Sequence, residues 1–197
     1  LVREATVQLD LFCVVLVDYA YSVAPRGMDE VIADVEHAGA AAMLVHGLPG
    51  RERARYLERS RAAGLGRIMS CFATSEPQVR RAAFDESLGY TYVVSSFGRT
   101  GGSVACSDEL QQRLQRIRAE TSRPLAVGFG LQRAQDVALV RSTGMDAAIV
   151  GSALCALIAE HAADPSRLVC ALSERVEELI SAARGSLHPH QPVETNS

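Results

Sequence analysis

The residues with the most chemistry in this chain are three glycine-bearing turns, each following a run of apolar, strand-like residues. They are Ser95-Ser96-Phe97-Gly98-Arg99-Thr100-Gly101-Gly102, Gly128-Phe129-Gly130 and Gly151-Ser152-Ala153. Glycine lets the backbone approach an anion closely, and a turn that opens a helix aims free N–H groups and the positive end of the helix dipole at it. One such turn is an ordinary tight connection. Three in consecutive strand–helix units are what the phosphate end of a (β/α) barrel draws from adjacent strand ends. Two further groups close apolar runs, Asp18 and His46. A carboxylate and an imidazole at strand C-terminal ends have the types needed for acid–base work, although such residues more often serve as satisfied hydrogen-bonding groups.

These groups need a frame, and the chain supplies an alternation of strands and helices. Apolar runs at Leu11–Val17, Ala41–Val45, Arg67–Phe72, Tyr90–Val94, Pro124–Val127 and Asp146–Val150 read as strands, the first of the kind buried on both faces of a parallel sheet. Between them, Met28, Val31, Ile32 and Val35 share a helical face, as do Leu110, Leu114 and Ile117. A helix is expected after Ser75, with Ser75 as N-cap and Pro77 in the first turn. A last helix near Ser166–Arg184 is expected to bury Leu168, Leu172, Val176, Leu179 and Ile180. Six β/α units suit an open doubly wound sheet or most of an eight-unit barrel. Phosphate turns after three late strands favour the barrel, because a doubly wound fold concentrates its phosphate contact at one early turn.

At 197 residues and 48% hydrophobic content the chain can build one substantial core. We expect residues 1–184 to form a single barrel domain lacking its first two units, and 185–197 to be a disordered polar tail; the chain opens at Leu1 without an initiator methionine. A net charge of −3 and a pI near 6.0 give no reason to expect nucleic acid or an anionic membrane as partner. All twenty basic residues are arginine, so no lysine can form a Schiff base. Cys13, Cys71, Cys106, Cys155 and Cys170 are odd in number and widely spaced, and read as reduced core thiols of a cytoplasmic protein. No stretch is long enough for a membrane span and none reads as a signal peptide. His188 and His190 belong to the polar tail rather than to a metal centre, and neither metal nor cofactor is expected.

Gly47-Leu48-Pro49, Tyr90-Thr91-Tyr92-Val93-Val94-Ser95, Thr100-Gly101, Gly128-Phe129-Gly130-Leu131 and Ile149-Val150-Gly151-Ser152-Ala153 stand in a collinear order that resembles the tryptophan synthase α subunit. The resemblance runs from about Leu9 to Arg184 and begins at that family's third barrel strand. It implies a TIM barrel, an α/β fold of eight β/α units of which six are present here. It also implies a lyase that cleaves indole-3-glycerol phosphate to indole and glyceraldehyde 3-phosphate, in partnership with a PLP-dependent β subunit. Carried over by motif, Thr100, Gly101, Gly128, Gly130, Gly151 and Ser152 would hold the phosphate, Phe129 would flank the ligand, and Tyr19 and Tyr92 would line an indole pocket, Tyr92 assisting the chemistry.

The resemblance places the catalytic glutamate and aspartate in the family's first two units, and neither position occurs in this sequence. Asp18 and His46 are the surrogates at hand. The chain also has His46-Gly47-Leu48-Pro49 where the family has a Pro-Asp-Leu-Pro type segment, Asp18-Tyr19-Ala20-Tyr21 where it has Tyr-Asn, and Arg99 before Thr100-Gly101. Two functions stay open on these residues: a lyase of the α-subunit type, or a diverged non-catalytic barrel that binds a phosphorylated ligand and regulates or completes a partner enzyme.

Overall fold

The computed structural model describes residues 2–9, 11–95, 108–128 and 130–185. Helix α1 (Val2–Leu9) precedes strand β1 (Val14–Asp18), a π-helical turn (Tyr19–Val23), the short α2 (Ala24–Arg26) and α3 (Met28–His37). Then come β2 (Ala42–His46), a 3-10 turn (Gly50–Glu52), α4 (Arg53–Ala62), β3 (Gly66–Ile68), β4 (Ser70–Phe72) and α5 (Pro77–Glu86). The C-terminal half holds β5 (Thr91–Val94), α6 (Asp108–Ala119), β6 (Leu125–Gly128), α7 (Ala134–Ser142), β7 (Ala147–Ile149), α8 (Ser152–Glu160) and α9 (Pro165–Arg184). The six expected strands all appear. α1 was not anticipated, and none of its residues is buried.

Every strand pair is parallel, in the order β1-β2-β3 and β4-β5-β6-β7. The expected third strand is divided at Met69: pairing with β2 ends at Leu44–Ile68, and pairing with β5 begins at Ser70–Tyr92. Met69 bridges the two parts, its carbonyl accepting from Tyr92 N–H at 2.9 Å and its own N–H donating to Ser87 Oγ at 3.1 Å. One strand thus serves β2 with its first half and β5 with its second, as strong twist and curvature in a barrel wall require.

The two sheet faces bury different sets, as the alternation of side chains dictates. Met43, Val45, Met69, Cys71, Val93, Leu125 and Val127 pack outward against helix residues such as Ile32, Tyr56, Phe84 and Leu114. Ala42, Leu44, Ile68, Tyr92 and Val94 face the other way, with Val14, Phe72, Tyr90 and Ile149 around them, and form the concave interior.

Several expectations change at the edges. Strand β1 is not buried on both faces: Leu16 is 54% exposed, and Leu11 and Phe12 before it are exposed as well, because β1 pairs with β2 alone among the described residues. In α9 only Ala182 is fully buried, with Leu179 against the same cluster on α7; Leu168 and Leu172 are half-buried, and Val176 and Ile180 are exposed. Glu76, not Ser75, precedes α5 as its N-cap, and Ser75 Oγ instead accepts from Phe72 N–H at 3.1 Å. Of the cysteines, only Cys71 is buried; Cys155 and Cys170 are exposed, Cys13 is intermediate, and Cys106 lies outside the described residues. No helix among the described residues is long and apolar enough to cross a membrane.

Candidate active site

The C-terminal ends of β1, β2, β5, β6 and β7 converge on a cavity of about 340 Å³ lined by Leu16, Asp18, His46, Tyr92, Gly130, Leu131, Ile149, Gly151 and Ser152. Parallel register sets Asp18 directly beside His46 at the rim. The location is the one where barrels and open α/β sheets alike place ligands, since strand ends there are followed by turns into helices.

The cavity lining is of two kinds. Leu16, Ile149 and Tyr92 give it apolar and aromatic surface, suited to a flat hydrophobic group. Burial, with Tyr90 close by, pushes the Tyr92 phenol up to about 12, so it stays protonated and can only donate or accept as a neutral hydroxyl near neutral pH. Gly151, also in the lining, caps α8 without any side-chain hydrogen bond, and the first turn of that helix holds no acidic residue. The N–H groups of Ser152 and Ala153 open the helix, where no intrahelical acceptor exists, so an anion is favoured there. Gly130 brings its backbone to the same rim with a φ of 78°, a left-handed conformation that a side chain would strain.

The surrogates behave differently from one another. Asp18 Oδ1 accepts from Ala20 N–H at 2.8 Å and Tyr21 N–H at 3.2 Å, capping the π-helical turn while its residue still lines the cavity. His46 lines both this cavity and a neighbouring one of about 310 Å³ that fills the split between β2 and β4. That second cavity also holds Arg53, which is ion-paired through Nε to Glu86 at 2.6 Å. Tyr19 is not among the residues lining the main cavity; it begins the π-helical turn and packs against the sheet–helix core.

Gly128 closes β6 under Tyr92, and Ser95 ties the end of β5 to it, with Ser95 N–H and Oγ donating to Gly128 O at 3.1 and 2.8 Å. Thr100, Gly101, Arg99 and Phe129 lie outside the described residues, as do His188 and His190. Leu16, Leu131 and Ile149 were not foreseen as lining residues. The period of two along β1 and β7 was the available signal, since Leu16 must share a face with Asp18. No group of three or more potential metal ligands occurs among the described residues.

A family model for the tryptophan synthase alpha chain matches residues 1–184. This chain belongs to the tryptophan synthase alpha chain family. Among curated members, it is 36% identical to the tryptophan synthase alpha chain of Prochlorococcus marinus over 72% of this chain and 51% of that protein. It is 34% identical to that of Trichormus variabilis over 88% of this chain and 64% of that protein. The chain therefore spans about half to two thirds of the length of these relatives. In fold, it is similar to mutant tryptophan synthase alpha subunits from the hyperthermophile Pyrococcus furiosus. One has a TM-score of 0.78 at 23% identity, covering 91% of this chain and 70% of the other; a second has a TM-score of 0.72 at 24%, covering 85% and 66%. The likeness identifies the seven parallel strand segments as part of a TIM barrel wall.

Proposed function

We propose that this chain carries the ligand-binding half of a tryptophan synthase α-type lyase, acting on indole-3-glycerol phosphate to release indole and glyceraldehyde 3-phosphate. The observation that carries the reading is the mixed lining of one cavity: the aromatic and apolar side chains of Tyr92, Leu16 and Ile149 together with the N-terminus of α8 at Gly151 and Ser152, which no side chain caps. A ligand with a flat apolar ring and a phosphate matches that lining. Membership of the family supports the same substrate class.

In this reading, the phosphate is held by the backbone around Gly130, Gly151 and Ser152, with the Ser152 hydroxyl as an added donor and Thr100 and Gly101 completing the cradle. Phe129 belongs to the ligand's surroundings, and Tyr92 fixes the ring through its neutral hydroxyl. The retro-aldol step needs an acid that protonates the indole carbon being cleaved and a base that takes the glycerol hydroxyl proton, so that the C–C bond electrons return to the ring. Asp18, His46 and Tyr92 are the titratable groups lining the cavity among the described residues, and burial keeps the Tyr92 phenol protonated. The family resemblance assigns its two catalytic carboxylates to the family's first two β/α units. A PLP-dependent β-type subunit is the proposed partner.

The test is indole release from indole-3-glycerol phosphate by the full-length protein, beside Ser152→Ala and Gly130→Asp. Release that falls sharply in both variants supports the lyase. No release, with binding of the phosphorylated ligand retained by the parent protein and lost in the variants, leaves a non-catalytic binding barrel instead.

A further inference from the structure

The turn between β6 and α7 carries a buried carboxylate that the proposed chemistry does not use. Asp136 is 2% exposed, in the first turn of α7, and its Oδ2 accepts from Gln132 N–H and Arg133 N–H, both at 2.9 Å. Arg133 Nη2 stands 3.6 Å from Oδ1, and Asp136 N–H donates back to Arg133 O at 3.0 Å. An arginine side chain has no acceptor, so the cap is one-sided: Asp136 does the accepting for the whole turn. A single serine or threonine at the N-cap would satisfy one backbone donor. This carboxylate satisfies two, reaching back four residues to the segment that joins Gly130 and Leu131, both of which line the cavity.

Asp136 lies in the first turn of α7, where an acidic side chain also complements the positive end of the helix. A buried carboxylate is costly unless bonded, so the turn and the charge hold each other: releasing either strands the other. We infer that Asp136 is a positioning residue: its carboxylate fixes the turn that leads from Gly130 and Leu131 into α7, and so holds the Gly130 backbone where it lines the cavity. The inference rests on the phosphate reading of this cavity.

Two measurements on the full protein test it. The first is amide hydrogen exchange. Asp136→Asn should speed exchange at Gln132 and Arg133 by about tenfold or more while the remainder of α7 keeps its protection. Unchanged exchange at those two amides overturns the inference. The second is binding of two probes, glycerol 3-phosphate for the phosphate site and indole for the apolar surface. Asp136→Asn should raise the Kd for glycerol 3-phosphate by about tenfold, the scale of a lost charge-assisted hydrogen bond, and leave the Kd for indole within about twofold. Val140→Ala, a buried change further along α7, is the control: it should lower stability without separating the two probes. Equal weakening of both probes in Asp136→Asn means a merely structural cap and overturns the inference. If the parent protein binds indole but not glycerol 3-phosphate, the phosphate reading falls, while exchange still decides whether Asp136 fixes the turn. Should Asp136→Asn fail to fold, Asp136→Glu, which keeps the charge but displaces it by one methylene, is read in the same way.

Discussion

Tyr92 lies so close over Gly128 that a Cβ placed at residue 128 would stand 2.5 Å from the Tyr92 hydroxyl oxygen and 2.6 Å from its ring. The absent side chain on β6 is therefore what lets the phenol of β5 lie across the sheet into the cavity wall. A specificity element on one strand depends on a missing methyl group on the next.

Gly128→Ala should displace the ring and destabilise the fold by about 1–3 kcal/mol, the usual cost of overpacking. Urea unfolding of the single variants and of Gly128→Ala/Tyr92→Leu measures the coupling. Removing the aromatic ring should recover most of the loss caused by the alanine, and a purely additive pair would show that the clash is absorbed elsewhere.

The buried Tyr92 phenol predicts an alkaline limit to stability. Its folded-state value is raised to about 12 from an ordinary value of 10.0. The folded protein thus holds the proton more tightly than the unfolded chain, so this group's contribution is intact below pH 10 and is lost as pH climbs from about 10 toward about 12. Tyr92→Phe should flatten the fall in unfolding free energy across that window and remove one late step from the 295 nm titration. An unchanged slope would place the tyrosinate penalty on other residues.

Asp18 offers a direct separation of capping from chemistry. Asp18→Asn keeps an acceptor for Ala20 N–H and Tyr21 N–H, whereas Asp18→Ala removes it and should cost about 0.5–2 kcal/mol by the loss of a cap. A cap alone predicts that Asp18→Asn keeps both stability and indole release. Loss of release at full stability would make the carboxylate a participant in proton transfer.

Thiol chemistry should divide the cysteines by depth. Burial raises the Cys71 thiol to about 12, which leaves almost no thiolate near neutral pH, while Cys155 and Cys170 are exposed. Alkylation at pH 8 followed by peptide mass mapping should label Cys155 and Cys170 quickly and Cys71 only in denaturant. Rapid labelling of Cys71 in the native protein would show that the α5 side of the sheet opens.

The sequence by itself determined the order of strands and helices, the glycine turns at the strand ends, and the family. Those signals are local: apolar runs such as Ala42–Val45, helical faces such as Leu110, Leu114 and Ile117, and glycines whose backbone conformation is set within a few residues. Tertiary structure decided what each residue faces. Met69 divides a strand because its two neighbours curve apart, and no local pattern records that divergence. Val176 and Ile180 read as core residues by helical period, yet a period specifies which residues share a face and not what covers it, and they are exposed. Asp136 drew no notice as a sequence residue; only the fold buries it in the first turn of α7 and brings two backbone amides onto its carboxylate. Burial and hydrogen-bond closure depend on segments distant in the chain meeting in space, and that meeting is a property of the fold.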